Sequence, residues 1–216
     1  MIPGMNGQMG IGNLPDASID ISAEDIFSRL QIGGMLYLEA CNDQWAISSD
    51  VQYMKLKQDI TPTTTINSGK ATMEQLAWEI AGLYKIAPWL EVGAGARLYN
   101  IGADLEMNYK TGINRDTTRS ESLTETWVDP IIIARGKFFT NTKWIAEVRA
   151  DVGGFGIGST FSWQLQADAG YRFSKLFDAT IGYRYLDVNY ENGTDSGRFL
   201  YDIATSGPTV RLGFTF

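Results

Sequence analysis

The first half of the stretch Thr160–Tyr190 alternates apolar and polar residues almost without error. Phe161, Trp163, Leu165, Ala167, Ala169, Tyr171 and Phe173 fall on one parity; Ser162, Gln164, Gln166, Asp168, Gly170 and Arg172 fall on the other. A period of two is the signature of a β-strand. Ser174-Lys175-Leu176 is a minimal reversal, and a second long strand follows with Ile181 and Tyr183 opposed to Gly182 and Arg184. Strands of soluble proteins usually run to about five or six residues, and these run to twice that. An apolar, aromatic-belted face backed by a charged one suits a strand with lipid outside and a polar lumen inside.

The same alternation extends along the chain and predicts one closed, antiparallel, up-and-down transmembrane β-barrel over residues 1–216. It has about ten strands, with eight or twelve as the alternatives. A short glycine-rich strand at Met1–Asn13 reads as truncated and is followed by a polar connection, Leu14–Ala23. Ser22-Ala23-Glu24-Asp25 opens a helical turn through about Arg29, with Ile26, Phe27 and Leu30 placed to lie on the barrel rim. Strands are expected at Gln31–Cys41, Trp45–Lys57, Thr72–Lys85, Trp89–Met107, Thr126–Phe139, Lys143–Gly153 and Arg198–Phe216, besides the hairpin above. Polar loops are expected at Gln58–Lys70 and Asn108–Glu125, and a phase slip near Tyr99–Ile101 reads as a bulge. Long connections alternate with short turns, which puts both termini on the short-turn, periplasmic side. The first strand must then pair with the last.

Composition fits without adding much. The 216 residues suit one large all-β domain, and the 44% hydrophobic content is compatible with alternating strands. No run of about 18 apolar residues offers a transmembrane helix, and the start of the chain lacks the basic and apolar regions of a signal peptide. A charge of −7 argues against nucleic acid as a partner. Cys41 is the one cysteine and cannot form an internal disulfide.

Six further features resemble known sequences. Val210, Leu212, Phe214 and Phe216 share a parity at the C-terminus and look like the signal read by the outer-membrane assembly machinery. WAISSDVQYMKLKQD (Trp45–Asp59), WVDPIIIARGKF (Trp127–Phe138), WQLQADAGYRF (Trp163–Phe173), IGYRYLDVNY (Ile181–Tyr190) and FLYDIATSGPTVRLGFTF (Phe199–Phe216) resemble a family of Gram-negative outer-membrane β-barrel proteins of unsettled function. The resemblance implies a porin-like small barrel in the outer membrane, with lipid, lipopolysaccharide and the assembly machinery as partners. It supplies no catalytic residues.

Candidate chemistry is sparse. The chain contains no histidine, which removes the usual neutral-pH base, so no enzyme, cofactor or metal centre is expected. GGFGIGS matches no phosphate-binding fingerprint and reads as a turn; Asn192-Gly193 reads likewise. The acidic residues Asp16, Asp20, Glu24 and Asp25 lack calcium-loop spacing and read as a solvated loop. Trp45, Trp89, Trp127, Trp144, Phe161, Trp163, Tyr171, Phe173 and Tyr183 are assigned to the lipid-facing surface and its interfacial girdle. The inward parity collects Glu39, Asp50, Glu79, Glu91, Arg97, Asp129, Arg135, Glu147, Arg149, Asp151, Asp168, Arg172, Arg184 and Arg211. Such charges are tolerated inside only when paired or wet. One expectation is a cross-linked lumen in a protein with a structural or loop-mediated binding role. A second is a narrow channel for ions or small solutes. The third, a soluble calycin-like ligand carrier, requires an apolar interior that these charges oppose.

Overall fold

In a computed structural model, which describes residues 3–12, 16–60, 66–110, 116–139 and 143–214, the alternating segments pair into one antiparallel sheet of 11 strands. The strands are β1 (Gly4–Ile11), β2 (Ala17–Ile21), β3 (Leu30–Cys41), β4 (Trp45–Ile60), β5 (Ile66–Ala87) and β6 (Leu90–Lys110). They continue with β7 (Asp116–Phe139), β8 (Trp144–Gly153), β9 (Phe161–Arg172), β10 (Phe177–Asn192) and β11 (Phe199–Phe214). A seven-residue helix, α1 (Ala23–Arg29), joins β2 to β3. From β3 to β11 every strand pairs with its sequence neighbours, and β1 then pairs with β11 and with β2.

The sheet is an open half-barrel that curls through 232°, not the closed barrel expected from the alternation. Its edge strands are β2 and β3. Both run the same way, because strand direction alternates across the sheet, and α1 separates them. They are two parts of a single descending pass. This is why the count is 11 and not about ten: the expected polar connection Leu14–Ala23 contains β2. Register shows where the opening lies. β1 pairs with β11 from Gly4↔Ser206 to Ile11↔Phe199, so Gly207–Phe214 is paired with β10 alone. On the far side β3 pairs with β4 alone, from Leu30↔Leu56 to Cys41↔Ala46.

Side chains cross this opening. The Arg211 guanidinium of β11 lies 5.4 Å from the ring centre of Tyr37 on β3, a cation–π contact worth on the order of 1 kcal/mol. Higher up, α1 touches both β1 and β4. Ser22 caps the helix, its Oγ accepting from the Asp25 N–H at 3.1 Å, as the sequence suggested. Ile26 does not lie on the rim: it is completely buried in the interior, packed with residues of β1, β4 and β11.

Two expected loops are largely strand. β4 and β5 pair out to Ile60↔Gly69, and β6 and β7 pair out to Lys110↔Asp116, leaving 61–65 and 111–115 as connections outside the described residues. The expected turn at Thr140–Thr142 also lies outside them. No bulge interrupts Tyr99–Ile101, whose pairing with β5 and β7 runs without a shift. Parity is kept there and side-chain chemistry changes: Arg97, Tyr99 and Ile101 all point inward and are buried.

The unpaired stretch of β11 gives the first test. In hydrogen-exchange measurements, amides of Gly207–Phe214 that point away from β10 are expected to exchange faster than those of β9, which is paired on both sides. Equal protection in the two strands would mean that the opening is absent in solution.

Candidate functional site: a layered, charged interior

The concave face is stacked in layers, each placed by parity and register. Nearest the short turns, Arg135 donates from Nε to Glu91 at 2.7 Å and from Nη1 to the Tyr37 hydroxyl at 2.7 Å, and it pairs with Glu39. Lys137 Nζ sits 3.0 Å from Glu39 and 3.5 Å from Glu91. Above this belt lies a thin apolar layer of Ala46, Ala81, Leu83, Ile131 and Ile133.

The second belt is fully buried. Arg97 Nη2 donates to Glu79 at 2.6 Å and to Asp151 at 2.8 Å. Arg149 pairs with Glu79 and Asp151. Arg184 donates from Nη2 to Asp50 at 2.7 Å and from Nε to the Gln164 side-chain oxygen at 2.8 Å. The Gln164 amide donates onward to Asp151 at 2.9 Å. Three arginines thus face three carboxylates (Asp50, Glu79, Asp151), which brings the belt to neutrality. These contacts cross the interior: Arg184 on β10 reaches β4, and Arg149 on β8 reaches β5. More pairs of the two belts join strands that are not neighbours than strands that are.

Asp129, also fully buried, has no cation within ion-pair distance among the described residues. It accepts from the Ser159 N–H at 2.6 Å and the Ser162 hydroxyl at 2.9 Å, which ties the β8–β9 turn to β7. Asp168 holds Thr209 and Gln166 and lies 3.6 Å from Arg211. Glu147 is half-buried on β8 beside Asp168. Arg172 keeps the inward parity and is exposed at the turn end of β9.

Above the second belt the interior turns apolar. Trp127 stacks on Tyr190 with ring centres 3.9 Å apart and on Tyr99 at 5.1 Å, and it tilts against Tyr201 at 5.9 Å. Its Nε1 donates to Ser159 Oγ at 2.9 Å. Trp127 is not part of the outer girdle expected from its aromatic character: it is 5% exposed and points inward. It shares the parity of Asp129, two residues on, and that parity overrides its aromatic character. Met5, Ile26, Leu186, Val188, Phe199 and Ile203 complete this layer.

The other girdle residues are on the outer face. Trp45 pairs with Tyr84, Trp89 with Phe138, and Trp144 with Tyr171, followed by Phe173, Phe177 and Phe214 in ring contact. Phe161, Tyr183, Val210, Leu212 and Phe214 are exposed there, and Trp163 stacks on Tyr185 at 4.8 Å. Phe216 lies outside the described residues. Beyond the sheet's apolar zone, at the loop end, Asp16 receives two Arg198 hydrogen bonds, at 2.7 and 3.3 Å, that hold its carboxyl below the usual range. The inward set read from the sequence omits Lys137, the tyrosines Tyr99, Tyr190 and Tyr201, and the two polar-parity residues Tyr37 and Gln164. Parity alone would have found all of them.

What this geometry defines is an up-and-down antiparallel half-barrel with a charged, cross-linked interior. No protein-family model matches the chain, and no curated protein sequence matches it. Among solved structures, the CymD monoaromatic hydrocarbon channel aligns over 98% of this chain and 85% of its own, at 8% identity and a TM-score of 0.33. That is a weak likeness and carries no argument here.

Substitutions should separate belt from rim. Arg97→Met strands Asp151 and Glu79 with fewer partners and is expected to cost about 3–5 kcal/mol. Lys175→Ala, in the exposed β9–β10 turn, is expected to change stability by no more than about 0.5 kcal/mol. Denaturant unfolding of the two variants checks both values; equal small losses would show that the belt does not hold the sheet.

Proposed function

We propose that the chain is an integral outer-membrane protein of porin-like type whose interior is plugged, serving a structural or loop-mediated binding role without catalysis. The observation that carries this reading is the outer face. From the short turns upward it is apolar: Ile47, Ile80, Ile132, Val148, Val152, Leu165, Ile181, Val210 and Leu212 are all exposed. One aromatic ring stands at the turn end, and Trp78, Trp163 and Tyr185 stand at the upper limit. Tyr171 and Trp163 are ~27 Å apart along β9 at about 3.4 Å per residue. A strand tilt of about 40° makes this ~20 Å of height, near the ~25 Å apolar band of an outer-membrane protein. Above Trp163 the same face carries Asp187, Asp202, Lys55, Glu74, Asn100 and Thr126.

A soluble protein would have to leave that band in water, far beyond the patch of a few hundred Å² that monomers tolerate. Lipid and lipopolysaccharide are the partners that suit it, with the short-turn end periplasmic. Lining residues of the interior meet in ion pairs and stacked rings, which favours a plug over an open channel.

Two experiments test the reading. Leu165→Arg puts a charge in the middle of the band and is expected to cost ~2–4 kcal/mol or to block insertion, whereas Thr124→Arg, on the same face above the band, should cost at most ~1 kcal/mol. Equal effects in refolding into lipid vesicles would remove the membrane assignment. In planar bilayers the intact protein should show little steady conductance. Arg184→Ala combined with Asp50→Ala deletes one cross-lumen bridge without leaving an unpaired charge, and should open a small-ion leak. A large stable conductance before mutation would refute the plug.

A further inference from the structure

The turn between β8 and β9 lies low on the sheet beside the long strand β7. β8 stops at Gly153 and β9 starts at Phe161, level with Asp129 on β7 and Asn189 on β10. The Gly154 N–H bonds to Pro130 O at 3.2 Å, the Ser159 N–H to Asp129, and the Thr160 N–H to Asn189 O at 2.8 Å. β7 itself continues from Asp129 to Asp116, ~43 Å of strand at about 3.3 Å per residue, or ~30 Å of height at a tilt near 40°. The facing ends of β6 and β7, Lys110 and Asp116, therefore stand far above the apolar band, while the β8–β9 turn sits on its upper edge.

This low turn carries two large apolar side chains that nothing covers. Ile157 is 77% exposed, the highest value among the large exposed hydrophobics, and Phe155 is 50% exposed. Phe155 has φ +53°, a left-handed conformation uncommon for a bulky residue. It is flanked by Gly154 at +86° and Gly156 at +73°, and a Cβ on Gly154 would come within 2.6 Å of the Ser159 carbonyl oxygen. Residues after the tip are anchored inward: Gly158 leaves no room for a Cβ beside Val128 O and Asp129, and Ser159 is fully buried under Trp127. The backbone is thus held in a strained shape whose result is to push one phenyl and one isoleucine outward. Val152 and Phe161, at the ends of the flanking strands, are exposed on the apolar face and make the tip continuous with the band.

We propose that Phe155 and Ile157 insert into the lipid surface at the upper edge of the band, so that the β8–β9 turn is a lipid anchor that fixes the depth of the sheet. This rests on the membrane assignment above, and the test keeps the two apart. In a Cys41→Ser background, single cysteines are placed by Ile157→Cys, Leu165→Cys and Ser120→Cys and labelled with an environment-sensitive fluorophore. The proteins are then refolded into phosphatidylcholine vesicles carrying nitroxide at the headgroup or deep in the acyl chain.

The label at 157 should be blue-shifted, shielded from iodide and quenched most by the shallow nitroxide. The label at 165 should be quenched most by the deep one, and the label at 120 by iodide alone. A label at 157 that behaves like the one at 120, while 165 reports lipid, overturns the anchor and leaves the membrane assignment standing. Iodide quenching at 165 as well would overturn both. Docking of a soluble partner instead of lipid would appear as a 157 label quenched by iodide in vesicles, the same refuting result.

Discussion

Everything in this fold hangs on six buried charges. Arg97, Arg149 and Arg184 face Asp50, Glu79 and Asp151 inside a curled sheet, and each would cost several kcal/mol if left alone in a low-dielectric interior. Met as a balanced set, they tie β4, β5, β6, β8 and β10 together across space that backbone hydrogen bonds do not span. Net stability of a domain is only about 5–15 kcal/mol, so one broken pair is a large share of it. Curvature follows from the same requirement: only a sheet bent this far brings Arg184 on β10 within 2.7 Å of Asp50 on β4.

A second regularity concerns height. Up to the level of Asp129 the interior carries the two charged belts, parted by one thin apolar layer, and the outside is apolar; above Trp127 the sheet is apolar inside and polar outside. Both faces change at the same level, marked inside by the step from Asp129 to Trp127 and outside by the step from Val128 to Thr126. The lower part presents an apolar outer face, and the upper part packs with its apolar side chains inside. Trp127, Tyr99, Tyr190 and Tyr201 form the lid between them, with Ile26 of α1 set into it.

This inversion also accounts for what the sequence did and did not disclose. Strand existence and direction could be read from Phe161 to Phe173 because one parity is apolar without exception. The belts were readable because Glu79, Arg97, Asp129, Arg135, Arg149, Asp151 and Arg184 break the apolar rule on the opposite parity. Around Tyr99 the interior changes from charge to aromatic, which in sequence is indistinguishable from a bulge. Trp127 follows the same rule: an aromatic at the end of an apolar outer stretch reads as girdle unless its parity is followed. Closure was not legible at all. Alternation says which face a residue occupies and is silent on whether the last edge finds a partner, and β2 is too short and too polar to announce itself.

The connectivity of the sheet has a kinetic consequence. From β3 to β11 each pairing joins neighbours in the chain, so a nine-strand meander can form by adding one hairpin at a time, each closing a short loop. β1 is the exception: Gly4 must find Ser206, nearly the full chain length away, at an entropic cost that grows with the logarithm of the loop. The β1–β2 unit, tethered through α1, is therefore placed to dock last, onto a meander whose ion pairs already exist. The free edge of β11 would then be a normal stage of assembly, and the order of events would run opposite to the order of the chain.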